Sequence, residues 1–202
     1  MNELANLRAA SAEEFKTIYE WMEKQFHAGE LKYLSTMEAL RAQDRYKVYG
    51  LWANETLIAY ALLAFTEDGR FALLDYYAVL PEYQSSGWGG RFLSMLREEL
   101  DCEAIILEVE DPKYAPDAAE EAHFSRRIRF YERNRCLHSP VNLNLRGYDY
   151  TIMTLPITRE PKPAEIYAAL EDAYHLFFPP EDYAQNVRFR EDEIVGGRLG
   201  AV

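Results

Sequence analysis

The sequence predicts a mixed α/β protein with a mostly antiparallel sheet and one β-α-β crossover. Three observations carry this expectation. The spacing of apolar residues switches between helical and alternating periods in the order β-α-α-β-β-β-α-β-α-β-β. Two short polar turns join three successive strands, as an antiparallel meander requires. A strand, a helix and a strand follow one another between Phe71 and Val109, which makes the two strands parallel neighbours across a right-handed connection. The 202 residues, 49% apolar and 28% charged, suit one globular domain with an appendage. A chain of this size buries roughly 70% of its unfolded surface, so it needs no disulfide or structural metal to stay folded.

In chain order, Leu4 to Ala9 reads as a short opening strand. Ser11 and Glu14 then form a capping box in front of a helix that spaces Phe15, Ile18, Tyr19, Met22 and Phe26 along one face. Gly29 ends that helix, and Ser35 with Glu38 suggests a second capping box for a shorter one. From Lys47 the period becomes that of strands: Val48 to Trp52, a turn at Asn54-Glu55, the near-continuous apolar run Leu57 to Phe65, a turn at 67–70, and Phe71 to Leu80. Uninterrupted apolar strands imply that both faces of the sheet are covered. After Pro81 a glycine-rich loop opens a helix from Gly87 to Leu100, and Glu103 to Val109 is a strand. An acidic segment, Asp111 to Glu121, precedes a helix from Ala122 to Asn134. Strands near Val141 to Arg146 and Tyr150 to Leu155 follow, joined at Gly147. Pro156 to Pro163 reads as a linker to an amphipathic helix, Ala164 to Phe178. The domain layout expected is therefore 1–156 for the main domain, 157–190 for a C-terminal helical extension and 191–202 for a flexible tail.

Composition narrows the function. A formal net charge of −12 opposes binding to phosphate backbones, so no nucleic-acid partner is expected. The longest apolar run is too short to span a bilayer, and no membrane partner is expected. The start, Met1-Asn2-Glu3-Leu4, lacks a basic segment followed by an apolar one, so no signal peptide is expected. Two cysteines and four scattered histidines fit neither a disulfide framework nor a metal spacing, which points to no metal and a reducing cytoplasm.

The chemistry sits after the third strand of the meander. There a strand ending Tyr77-Ala78-Val79-Leu80-Pro81 runs into Gln84-Ser85-Ser86-Gly87-Trp88-Gly89-Gly90-Arg91 and then a helix. Amides in the first turn of a helix have no intrahelical partner, and the helix dipole adds positive potential there. Glycines let a bulky anion approach that backbone, so the segment reads as a phosphate or pyrophosphate cradle. It is not a P-loop, because no Lys-Ser or Lys-Thr follows the glycines. It is not a dinucleotide fingerprint, because Phe92 stands where the third glycine belongs. The alternative is a tight strand-to-helix turn, although each glycine inside a helix costs roughly 1 kcal/mol of propensity.

Gln84-Ser85-Ser86-Gly87-Trp88-Gly89, with Val79-Leu80-Pro81-Glu82-Tyr83 before it, resembles the acetyl-coenzyme A signature of the GCN5-related N-acetyltransferase (GNAT) family. The resemblance covers Leu4 to Leu155 in element order and implies a GNAT-like acyl-CoA acyltransferase fold. It implies that acetyl-CoA is the co-substrate and that the Val79 backbone pairs with the pantetheine arm. It further implies that the amides from Gln84, Ser85, Ser86, Gly87, Trp88 and Gly89 through Gly90 hold the pyrophosphate. Arg91 is a further phosphate candidate. The stretch Phe130-Tyr131 resembles the family's later helix, where a tyrosine protonates the leaving thiolate. A phenol of pKa ~10 stays neutral at pH 7 and can serve a thiolate of pKa ~8.5 when aligned. Phe130 and Tyr131 as core aromatics remain the alternative. The family often has asparagine and alanine where Phe124 and Arg127 stand, and Gly-Phe where Arg135-Cys136 stands.

The arginines at 126, 127, 129, 133 and 135 either bind cofactor phosphates or complement the negative end of their own helix. Candidates for the base are Asp75, which by strict alternation shares a face with Leu73, Tyr77 and Val79, and Glu108 or Glu110 on the neighbouring strand. Each is otherwise a solvated or salt-bridged carboxylate, with water carrying the proton. The expected activity is direct acetyl transfer to a primary amine of a small molecule, favoured as cationic by the acidic balance. Tyr131, Asp75 and Glu108 are the catalytic candidates, in a monomer or homodimer. The alternative of another class is a catalytically inactive acyl-CoA-binding or sensing module of the same fold.

Overall fold

The computed structural model describes residues 5–190, which divide into two compact units between Asp101 and Cys102. In the first, β1 (Ala5–Ala9), β2 (Tyr46–Ala53), β3 (Thr56–Phe65) and β4 (Phe71–Val79) pair antiparallel in chain order. Helices α1 (Ala12–Gln25) and α2 (Leu34–Arg41) lie between β1 and β2 in the chain, and α3 (Trp88–Glu99) follows β4. The capping box at Ser11 and Glu14 is present, and Arg8 completes it by ion-pairing with Glu14 at 2.5 Å. Phe15, Ile18 and Met22 are fully buried on α1, each contributing about 1.5–3 kcal/mol of hydrophobic stabilisation. Leu57 to Ala64 is buried without interruption, as expected for a strand covered on both faces.

Helix α2 departs from the sequence expectation. It starts at Leu34 with Tyr33 as its N-cap and no side-chain cap, so Ser35 lies inside the first turn. The residues before it are fixed tertiarily: the Tyr76 hydroxyl accepts from the Lys32 amide and donates to the Glu30 carbonyl, and Tyr19 donates to the Lys32 carbonyl. These contacts set the helix start in place of a local cap.

A second departure lies in β4. The register runs Leu63 opposite Leu74, then Leu62 opposite Tyr76, so Asp75 is the extra residue of a β-bulge. The bulge breaks strict alternation. Tyr46, Ala64, Leu73, Leu62 and Tyr76 share one face by register, and Asp75 joins that face by accepting a hydrogen bond from Tyr46. The expectation that Asp75 shares a face with Tyr77 and Val79 is therefore corrected.

The second unit holds β5 (Ala104–Glu110), β6 (Leu137–Leu145), β7 (Tyr148–Pro156) and β8 (Val187–Phe189), paired antiparallel in the order β5-β7-β6-β8. Helix α4 (Ala118–Arg133) begins four residues before the expected Ala122, because the Asp117 carboxylate accepts from the amides of Ala119 and Glu120. Much of the acidic segment thus builds a helix start, with Glu120 and Glu121 complementing the dipole. β6 begins at Leu137, ahead of the expected Val141, and Pro140 falls in the register break between His138 and Asn142. Beyond the linker, α5 (Pro163–Phe177) packs on β6 and buries Ile166, Leu170 and Tyr174. Helix α6 (Pro180–Asn186) and β8 follow, and β8 adds a strand to the edge of β6. Neither was foreseen from the sequence. The expected tail at 191–202 lies outside the described residues.

Candidate active site

In the first unit the glycine-rich segment grows directly from the end of β4. Leu80 donates its amide to the Ile58 carbonyl. By the alternation of an antiparallel ladder, Ala78 and Leu80 direct their backbone groups at β3, and Val79 directs its own at the opposite edge. The Val79 carbonyl accepts from two side-chain amides, Gln25 Nε2 at 3.0 Å and Gln84 Nε2 at 3.1 Å. Gln25 is oriented in turn by the Tyr60 hydroxyl. Gln84 thus folds the loop back on the strand end, while Val79 directs its polar backbone away from β3.

A short 3-10 turn, Pro81–Tyr83, leads into the loop. Gln84, Ser85, Ser86 and Gly87 are all exposed. Ser85 has φ 60° and Gly87 φ 86°, and Ser86 donates its hydroxyl to the Tyr83 carbonyl. Gly87 is the N-cap of α3, with no side chain capping the first-turn amides. A Cβ built at Gly87 meets no atom within 4 Å. Glycine is therefore needed there for the left-handed backbone rather than for protein packing, and the space in front of the helix start is open. Tyr77 fixes that start to β4: its hydroxyl donates to the Gly89 carbonyl at 2.5 Å, and its ring stacks on Phe92 at 5.3 Å. Arg91 is exposed with its guanidinium 4.8 Å over the half-buried Trp88 ring. An exposed, uncapped helix start with an arginine one turn in can receive an anion.

Asp75 is committed. Lys32 Nζ meets its two oxygens at 2.7 and 2.8 Å, the Tyr46 hydroxyl donates to it, and the side chain is only 9% exposed. The Tyr46 and Tyr76 phenols are held well above their ordinary values by burial first and by the Asp75 charge second, so both stay neutral donors.

In the second unit, Glu108 on β5 accepts from the Tyr174 hydroxyl of α5, a residue 66 positions away. Glu110, two residues on, takes Arg127 Nη1 on both carboxylate oxygens. Tyr131 lies one helical turn after Arg127 and is buried. Burial raises its phenol above the ordinary value, against the lowering effect of the Arg127 charge. The other arginines of the set, 126, 129, 133 and 135, are exposed, and Arg133 lies in the last turn of α4, where it complements the dipole. Cys102 and Cys136 are buried free thiols, and burial pushes Cys136 up to about 12.

Sequence reasoning missed Gln25, Tyr77 and Tyr174, which act across 54, 12 and 66 residues. Arg127 was visible as one of five arginines and as a departure from the family's usual alanine, but not as the partner of Glu110.

The GNAT acetyltransferase family model matches residues 15–134. The chain is similar to the ribosomal-protein-S18-alanine N-acetyltransferase from Escherichia coli at 24% identity and TM-score 0.56, covering 78% of this chain and 97% of that one. It is similar to spermidine N-acetyltransferase from Vibrio cholerae, solved with CoA and spermine, at 15% identity and TM-score 0.53, over 78% and 98%. It is also similar to a protein from Bacteroides thetaiotaomicron assigned to the GNAT family, at 19% identity and TM-score 0.61, over 81% and 92%. At these identities the likeness is one of fold. No curated protein matches the chain in sequence. Among the described residues, no helix is long and apolar enough to cross a membrane.

Proposed function

The chain belongs to the GNAT acetyltransferase family, and on that premise we propose that it transfers an acetyl group from acetyl-CoA directly to a primary amine of a small cationic molecule. One observation carries the reading: Gly87, left-handed and without a capping side chain, opens α3 beside exposed loop amides and open space. Bound acetyl-CoA supplies the activated thioester. The amides from Gln84 to Gly90 hold its pyrophosphate, with Arg91 as a further partner. Val79, whose backbone faces away from β3, orients the pantetheine arm. Tyr131 donates its proton to the departing thiolate.

Asp75 and Glu108 are the acidic candidates for taking the amine's proton. Both already accept hydrogen bonds, Asp75 from Lys32 and Tyr46 and Glu108 from Tyr174. Each carboxylate is thus already engaged, and water takes the proton in our reading. The transfer needs no acyl-enzyme: a thiol held near 12 is protonated at neutral pH and a poor nucleophile. Buried free cysteines also suit a reducing cytoplasm. We assign residues 1–156 to the acetyltransferase domain and 157–190 to an extension.

The fold is shared by enzymes named for an alanine of ribosomal protein S18 and for spermidine, so the acceptor is argued from charge. A net −12 raises the local concentration of cations over anions. Incubation with acetyl-CoA and a panel of polyamines, monoamines, amino acids and N-terminal peptides tests this by release of free thiol. Release above the hydrolysis background with di- and polyamines is expected. Release only with peptides or neutral amines overturns the cationic acceptor. Tight acetyl-CoA binding with no release for any amine identifies a non-catalytic acyl-CoA-binding module.

A further inference from the structure

We propose that the Gln84 side chain is a latch on the Val79 carbonyl, which the arm of acetyl-CoA displaces on binding, and that Gln25 is the positioning residue that keeps this carbonyl aimed. The inference rests on the reading that Val79 orients the pantetheine arm. A peptide carbonyl oxygen has two lone pairs. At Val79 both are engaged, by Gln25 Nε2 at 3.0 Å and by Gln84 Nε2 at 3.1 Å. An amide N–H of the arm is a third donor for the same oxygen, so it bonds there only in place of one glutamine.

The two glutamines are held unequally. Gln25 is the last residue of α1 and half-buried, and its Oε1 accepts from the Tyr60 hydroxyl of β3 at 2.8 Å. That bond fixes the orientation of the amide, because the hydroxyl takes the carbonyl end and leaves the donor end for Val79. Tyr60 is fully buried, and burial lifts its phenol above the ordinary value, so it stays a donor. Gln84 is exposed in the loop, and among the described residues its side chain makes only the bond to Val79.

Exposure decides which of them yields. An exposed amide that leaves the carbonyl exchanges its bond for one to water at little net cost. Withdrawing Gln25 would also strand the buried Tyr60 hydroxyl, and a buried donor without a partner is expensive. The arm therefore takes the place of Gln84. Because Gln84 ties the loop to the strand end, the same displacement releases the loop that leads to Gly87.

Calorimetry on the full chain with acetyl-pantetheine, which has the arm without the pyrophosphate, separates the two roles. Gln84→Ala is expected to bind it about two- to tenfold more tightly than the unmodified protein, since no latch has to be broken. Gln25→Ala is expected to bind it about two- to tenfold more weakly, and Gln25→Glu likewise, because a carboxylate cannot donate to the carbonyl. A merely structural role for both glutamines would weaken binding in both or leave it unaltered, so opposite signs are the signature. The side-chain amide NMR signals of the unmodified protein give an independent reading. On binding, those of Gln84 are expected to move to the values of a hydrated amide while those of Gln25 hold. Equal or weaker binding by Gln84→Ala, or Gln84 signals that stay in place, overturns the latch. Unchanged binding by both Gln25 variants overturns its positioning role. Acetyl-pantetheine that binds no variant while acetyl-CoA binds also overturns the inference, because an unlatched carbonyl should hold the arm. Absence of acetyl-CoA binding by the folded, unmodified protein instead removes the reading beneath it, so the two failures are distinguishable.

Discussion

Replacing Gly87 by alanine separates the needs of the turn from the needs of the ligand. Gly87 sits at φ 86°, where an L-residue is strained by about 1–2 kcal/mol. The added Cβ meets no atom within 4 Å, so no steric penalty joins the strain. For a chain of this size about 1 kcal/mol lowers Tm by roughly 2–4 °C, giving an expected fall of about 2–8 °C. The same methyl enters the open space before the first-turn amides of α3. Disturbing one hydrogen bond to a charged phosphate costs about 1.5–3 kcal/mol, or roughly 10- to 150-fold in Kd. Thermal unfolding and titration calorimetry with acetyl-CoA on the same sample measure both. A melt lowered by the strain alone, with the acetyl-CoA Kd unchanged, would refute the cradle and leave Gly87 as a turn residue.

Tyr131→Phe is expected to reduce kcat roughly tenfold or more with little change in acetyl-CoA affinity, read by steady-state thiol release and calorimetry; an unchanged kcat removes the tyrosine from the mechanism. Gly50→Ala sets a Cβ 2.3 Å from Trp52 Nε1 in the packed second strand, and overpacking of this kind destabilises by about 1–3 kcal/mol in a urea melt. An unaltered midpoint there would mean that the indole moves freely. Glu14 is held down to about 2 by its hydrogen bonds to Arg8 and the Ser11 amide, below its ordinary 4.5. Because the folded value is the lower one, its stabilisation is full above about pH 4.5 and fades as pH falls towards 2. Glu14→Gln should therefore flatten the acid limb of stability against pH over that window, and identical limbs would contradict the pairing.

Local signals were legible in the sequence and distant ones were not. The Ser11–Glu14 box is a contact over three residues, and it formed as expected. The Ser35–Glu38 pattern has the same letters, yet Tyr19 and Tyr76 hold the chain just ahead of α2 and move its start. The bulge at Asp75 depends on how β3 pairs with β4, and its sole trace in the sequence is a carboxylate inside an apolar strand. β8 has three residues and exists by pairing with β6, so no period announces it. The glycine-rich loop and the start of α3 could be placed because glycines over a few residues write their backbone conformation. The partners of the carboxylates could not, because Lys32 reaches Asp75 across 43 residues and Tyr174 reaches Glu108 across 66.

Titration of the unmodified protein with acetyl-CoA and, separately, with acetyl-pantetheine bears most directly on what the start of α3 holds. The two share thioester and arm, and only the first carries a pyrophosphate. Acetyl-CoA is expected to bind at least about 100-fold more tightly, the loss of two charge-assisted hydrogen bonds sufficing for that difference. Equal affinities, or no heat with acetyl-CoA from a folded sample, would contradict a pyrophosphate seat at Gly87.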